Sequence, residues 1–258
     1  DELKGWLKSN GSSFGDLQFE DDELLGRCLK SGGGMMKNEQ VIKVSNSCLI
    51  NYWSCLKHIA VWNSDVADFV SKCHNDGESD FITEIYKVWD LQQIKTLNST
   101  QLITLYLSLE NERDTSFWKP FLNVLPPLKD FNELPLSWCF SSRKDHWKLL
   151  PKWCQTHVNN QLESFKSDVD KIAPFLHPAV AKEELLRFWL CLNTRCLYWT
   201  PPELLGLESN LLNNITMVPF VDFINHTPVA NCEAKASKFG FVVSTLKDIK
   251  EGDHIWFT

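Results

Sequence analysis

The sequence predicts an α+β fold, with a long helical block set into an otherwise β-rich core. Strand-like composition stands at both ends, a capped apolar helix pattern fills the middle, and prolines punctuate that middle. Segregated strands, helices and strands set the chain apart from alternating βα folds.

Near the start, Val41-Ile42-Lys43-Val44 is rich in β-branched residues and reads as a strand. It follows Gly32-Gly33-Gly34, a turn that lacks the Lys-Ser/Thr of a phosphate loop. Asn98, Ser99 and Thr100 offer capping oxygens ahead of Leu102, Ile103, Leu105, Tyr106, Leu107 and Leu109. Apolar residues there cover more than one face, which predicts a helix buried on two sides. Pro126-Pro127 and Pro135 then open loops. A second helix is predicted from near Val158 to Asp170, and a third from near Val180, with Pro174 and Pro178 between them. Glu183 and Glu184 suit the first turns of that third helix. At the far end, Phe239-Gly240-Phe241-Val242-Val243 reads as a strand. Lys250-Glu251-Gly252-Asp253 reads as a turn and His254-Ile255-Trp256-Phe257 as the return strand.

Composition narrows the class. The 258 residues are 43% hydrophobic and 23% charged, enough to bury a core without staples and too apolar for a disordered chain. Most of the 11 Trp and 16 Phe must fill that core. With 26 basic against 33 acidic residues the net charge is −7, so direct nucleic-acid binding is not expected. The acidic run Asp16, Glu20, Asp21, Asp22 and Glu23 reads as a solvated segment. Nine cysteines, an odd number with no CxxC, indicate neither a disulfide framework nor a zinc cluster. Reduced cysteines fit a cytoplasmic or nuclear protein. No apolar stretch approaches the roughly 20 residues that cross a bilayer, so no membrane span is expected.

The informative segment is Met217-Val218-Pro219-Phe220-Val221-Asp222-Phe223-Ile224-Asn225-His226. Taken alone, Asp-x-x-Asn-His reads as a turn with a satisfied histidine. Three further blocks stand in order before it. They are Leu25-Gly26-Arg27-Cys28-Leu29, then Leu105 to Glu110 with Ser116-Phe117-Trp118-Lys119-Pro120-Phe121-Leu122, then Thr194-Arg195. Together the four blocks resemble the SET-domain protein lysine methyltransferases, of the class typified by Rubisco large-subunit methyltransferase. The fungal-type ribosomal and translation-factor lysine methyltransferases fall in the same class. Cys28 stands where that family has its second glycine, and Asp253-His254 stand in its Gly-Glu-Glu turn.

The resemblance implies a SET β-core of the pseudoknot type with a long helical insert. It places the N-terminal part of the core at 1–98, the insert at 99–200 and the C-terminal part at 201–258. It implies transfer of a methyl group from S-adenosyl-L-methionine to a lysine of a non-histone protein, such as a ribosomal protein or translation factor. A monomer is expected. Asn225, His226, Gly26, Arg27, Thr194 and Asp222 are implied at the cofactor. Thr194, Arg195 and Asp222 are implied at the substrate lysine, although Arg195 reads equally as a structural ion pair. No second His or Cys lies at ligand spacing beside His226, so no metal is expected.

The physical task can be stated apart from the family. A lysine amine has a pKa near 10.4 and is almost wholly protonated near neutral pH. An apolar channel and a nearby sulfonium cation both disfavour the ammonium form. Aromatic walls suit a cationic or methylated ammonium. The family's catalytic tyrosine follows the last strand. Here it is expected beyond Thr258, since Tyr52, Tyr86, Tyr106 and Tyr198 do not match its place. The C-terminal part is thus expected to be truncated, and a chain ending at Thr258 is expected to bind the donor weakly and turn over little. The alternative is a catalytically inactive SET-like module that binds a protein partner.

Overall fold

In a computed structural model the described residues are 2–23, 25–73, 78–178, 180–199, 215–237 and 239–258. Of these, 2–54, 196–199 and 216–258 form one compact unit, and 55–195 with 215 a second. The expected boundary at 200/201 lies outside the described residues. None of the described helices is long and apolar enough to cross a membrane.

The elements run in chain order as follows. First come α1 (Glu2–Ser9), β1 (Ser13–Phe14), β2 (Leu17–Asp22), β3 (Gly26–Ser31), β4 (Gln40–Ser45) and β5 (Ile50–Asn51). The α-helices continue with α2 (Tyr52–Ile59), α3 (Ser64–Phe69), α4 (Phe81–Lys87), α5 (Leu91–Ile94) and α6 (Ser99–Asn111). The block ends with α7 (Lys119–Leu122), α8 (Pro135–Trp138), α9 (Lys152–Ile172) and α10 (Lys182–Arg195). Strands then return: β6 (Cys196–Tyr198), β7 (Ile215–Met217), β8 (Asn225–His226), β9 (Cys232–Ser237), β10 (Gly240–Thr245) and β11 (Trp256–Phe257).

The first unit is built on an antiparallel sheet of order β1-β4-β10-β9. Val41, Ile42 and Val44 of β4 and Phe241 and Val243 of β10 are buried, as their β-branched and aromatic character favours. β2 and β3 form an antiparallel hairpin, with Glu20 opposite Cys28 and Asp22 opposite Gly26. One expectation is corrected here. The segment after Lys250-Glu251-Gly252-Asp253 does not return along β10. β11 instead pairs in parallel with β8, Trp256 opposite Asn225 and Phe257 opposite His226. A parallel partner cannot be reached by a tight turn, so local sequence pattern points to the wrong neighbour.

The helical unit follows its sequence signals closely at α6. The Asn98 side chain accepts from Gln101 N–H, and the Gln101 side chain accepts from Asn98 N–H, which closes a capping box. Every residue from Leu102 to Glu110 is buried, so this helix is enclosed on all sides rather than two. α9 begins at Lys152, a full turn or more ahead of the predicted start and directly after Pro151, which stands at its N-cap. Asp168 of α9 accepts from Gln101 Nε2 and from Trp189 Nε1, both at 2.9 Å, and so links α6, α9 and α10.

A buried charge network lies at the end of α6. Glu110 accepts from Tyr86 Oη at 2.8 Å, from Arg113 Nη1 at 3.0 Å and from the Ser116 hydroxyl. Arg113 Nε also reaches Asp80 at 2.7 Å. Burial by itself would lower the Arg113 pKa, but Glu110 and Asp80 hold it above its ordinary value. Burial, then the Glu110 charge, pushes the Tyr86 phenol well above its usual pKa. The neutral phenol is therefore favoured by folding. Its contribution is complete below about pH 10 and is lost as pH rises above that value. Denaturation midpoints measured in urea should fall through this alkaline window, and the fall should be shallower in Tyr86→Phe.

Candidate functional site

The site grows from the segment between β7 and β8. Phe220 follows Pro219 and is buried with φ 74° and ψ −38°. A bulky residue in this region carries strain of about 1–3 kcal/mol, which its surroundings must impose. The Phe220 ring lies 4.4 Å from Phe14 and 5.2 Å from Phe19, centroid to centroid, and Phe19 also meets Phe223 at 5.3 Å. The strained residue directs the chain into a tight turn, Val221–Phe223, where Asp222 N–H donates to the Val218 carbonyl at 3.2 Å. β8 leaves from that turn.

Asn225 ties this strand to the β2–β3 turn. Its Nδ2 donates to the carbonyls of Leu25 at 3.3 Å and Arg27 at 3.5 Å, on either side of Gly26. Gly26 has φ 67°, a conformation glycine adopts without cost. A Cβ placed there would meet nothing within 4 Å, so the turn presents open backbone. The Arg27 guanidinium lies 5.5 Å over the Phe223 ring and 3.7 Å from Asp21. His226 is exposed, with its ring 4.3 Å from Phe257. Thr227 N–H donates to the Phe257 carbonyl at 3.0 Å, and the Thr258 hydroxyl to the Thr227 carbonyl at 3.1 Å.

Five of the residues singled out by sequence, Gly26, Arg27, Asp222, Asn225 and His226, thus belong to one part of the first unit. Thr194 and Arg195 lie on the last turn of α10, in the helical unit. The Thr194 hydroxyl donates back to the Leu190 carbonyl at 2.7 Å.

Two contributors escaped the sequence reading. Asn231 is buried. Its Nδ2 donates to the His254 carbonyl at 2.7 Å and its Oδ1 accepts from Trp256 N–H at 2.8 Å, which fixes the approach to β11. A single Asn in a loop gives no local sign of that role. Phe220 is the other. Pro219 restrains the residue before it, not the one after, so nothing local marks the positive φ.

The electrostatics beside the hairpin are also defined. Hydrogen bonds from Lys30 and then from His254 hold the Glu20 carboxylate below its usual range. Burial, then the Glu20 charge, pushes the Cys28 thiol up. The ensemble around Asn225 is one of fixed donors, fixed carbonyls and an open glycine turn. Such groups position a ligand.

No family model matches the chain. It is 23% identical to "Ribosomal lysine N-methyltransferase 2" of Saccharomyces cerevisiae over 273 residues, which cover 88% of this chain and 56% of that protein. It is 20% identical to "Ribosomal lysine N-methyltransferase set11" of Schizosaccharomyces pombe, with 97% and 55% covered. It is 21% identical to human "SET domain-containing protein 4", with 90% and 48% covered. The chain therefore spans about half the length of the curated relatives it matches. Among solved structures, Rubisco LSMT bound to AdoMet matches with TM-score 0.62 and 15% identity, over 99% of this chain and 51% of that one. The SET domain of LSMT bound to lysine and AdoHcy matches with TM-score 0.59 and 16% identity, over 99% and 52%. The fold is that of the SET domain of Rubisco LSMT.

Proposed function

We propose that this SET-domain chain is the methyl-donor-binding part of a protein-lysine N-methyltransferase, using S-adenosyl-L-methionine and acting on a ribosomal protein or a related component of translation. One observation carries the reading: Asn225, on a strand paired in parallel with β11, brackets the open Gly26 turn with its side-chain amide. A preorganised turn of this kind fits a ligand that approaches backbone closely, since no Cβ intervenes at Gly26.

The donor, when bound, supplies an electrophilic methyl group on a sulfonium sulfur. The chain's own residues have the task of orientation. Asn225 and His226 would hold the donor through backbone and side-chain hydrogen bonds, and Gly26 and Arg27 through the first turn. Asp222, Thr194 and Arg195 are proposed near the cofactor or the incoming lysine. The names of the two yeast relatives favour a ribosomal substrate.

The test uses the full-length protein. Isothermal titration with S-adenosyl-L-methionine should show saturable binding, and labelled methyl groups should appear on a protein of a ribosomal fraction. Asn225→Ala should weaken donor binding about tenfold or more, the loss of roughly 1.4 kcal/mol of hydrogen-bonded positioning. Absence of donor binding by the folded full-length protein would leave the partner-binding module as the reading.

A further inference from the structure

A cluster of three different ligand types lies outside the residues assigned above. Glu20 of β2, Cys28 of β3 and His254 near β11 converge from three separate backbone segments. His254 Nε2 lies 3.2 Å from Glu20 Oε2 and 3.9 Å from Cys28 Sγ, and Cys28 Sγ lies 4.0 Å from Glu20 Oε2. Three such donors on one tetrahedral zinc ion would stand about 3.3–3.6 Å apart, given bonds of about 2.0–2.3 Å. The observed spacings are within about half an ångström of that.

The positions are held by backbone. Glu20 and Cys28 are opposite one another in the hairpin register. The segment 252–255 runs along β3. Ser31 N–H donates to the Asp253 carbonyl at 2.9 Å, Gly252 N–H to the Ser31 carbonyl at 2.8 Å, and Ile255 N–H to the Leu29 carbonyl at 2.8 Å. Asn231 clamps the His254 carbonyl as well. The backbone of all three segments therefore brings the side chains to one place. Cys28 is buried and His254 is partly covered, while Glu20 faces solvent at one edge, which gives an ion a way in.

We propose that Glu20, Cys28 and His254 form a three-ligand site for a divalent ion of the zinc class, with the fourth position open to water. Sulfur and imidazole donors select zinc-like ions over magnesium or calcium. Binding replaces the thiol proton by the metal, and that proton passes to solvent. Lys30, whose ammonium pairs with Glu20, opposes the ion by charge and must turn aside. The site joins the first hairpin to the segment that leads into β11, so metal stabilises this unit as a staple. Sequence spacing conceals it, because position 254 lies far along the chain from 20 and 28.

Chelator-treated full-length protein is titrated with cobalt(II), then with zinc(II) in competition. The expected result is saturable binding at or below about 10 µM, with a near-ultraviolet thiolate-to-cobalt band and the visible bands of a tetrahedral ion. Cys28→Ser should remove the thiolate band, and both Cys28→Ser and His254→Gln should weaken binding at least about tenfold. Lys30→Met should tighten it. Zinc should raise the Tm of the wild type and leave that of Cys28→Ser unchanged. Because a variant can fail to fold, alkylation is followed in the wild type by peptide mass spectrometry, where zinc should protect Cys28. No saturable binding, binding indifferent to the two ligand substitutions, or no protection of Cys28 overturns the proposal.

Discussion

Glu110→Ala is expected to cost the helical unit about 3–5 kcal/mol, enough to remove much of the margin of an ordinary domain. The reason is what the substitution leaves behind. Arg113 has a side-chain exposure of 1% and Glu110 of 0%, so neither charge has water to fall back on. Without Glu110, the carboxylate left to Arg113 among the described residues is Asp80, at the edge of the network. The Tyr86 and Ser116 hydroxyls also lose their acceptor. An unpaired buried charge is far more costly than the pair was favourable. Removing both charges at once, as Glu110→Leu with Arg113→Met, should therefore recover a large part of the loss. Urea unfolding of the single and double variants measures both quantities. A single-variant cost under about 1 kcal/mol would falsify the claim that this network is closed to water. α10 packs on α6 within the same unit, so the loss of stability extends to the helix that carries Thr194 and Arg195.

How much of this was legible in the sequence depends on the range of the interaction. The capped start of α6 was readable because Asn98 and Gln101 are three residues apart and satisfy each other locally. β4 and β10 were readable from β-branched and aromatic composition. The short helices before residue 98, α2 to α5, carry few repeats of any apolar period, and four to eight residues hold too little pattern to declare themselves. α3 and α4 are nevertheless capped by Asn63 and Asp80, signals visible in hindsight. At the candidate site, resemblance rather than physics singles out Gly26, Asn225 and His226. Local chemistry says only that Asn can bond to carbonyls, not that the Leu25 and Arg27 carbonyls lie two hundred residues away in the chain. The β8–β11 pairing, the positive φ of Phe220 and the Asn231 clamp are likewise tertiary facts.

Gly240→Ala should be the most damaging single methyl group that can be added to the first unit. Gly240 begins β10 with φ 132°, a backbone conformation that L side chains rarely adopt. It is paired on both sides, with Ser45 of β4 and Ser237 of β9, so the strand cannot move away in the plane of the sheet. A Cβ there would fall 1.9 Å from the Val44 carbonyl oxygen and 2.9 Å from its carbon, with backbone rather than a flexible side chain as the obstacle. Relief requires breaking the register of the central pair or flipping the glycine peptide. Either loses ladder hydrogen bonds and buried area at Phe241 and Val243, for a total on the order of 3–5 kcal/mol. Two results should accompany one another: a depressed Tm, and loss of S-adenosyl-L-methionine binding in full-length protein as the sheet beside the β8–β11 pair gives way. Gly252→Ala provides the contrast. Gly252 also has a positive φ, 82°, yet a Cβ there meets nothing within 4 Å. Its cost should stay near the roughly 1–2 kcal/mol of left-handed strain alone. If the two variants proved equally mild, the close approach at Val44 would not be what excludes a side chain from position 240, and the central pairing of this sheet would have to be looser than its register implies.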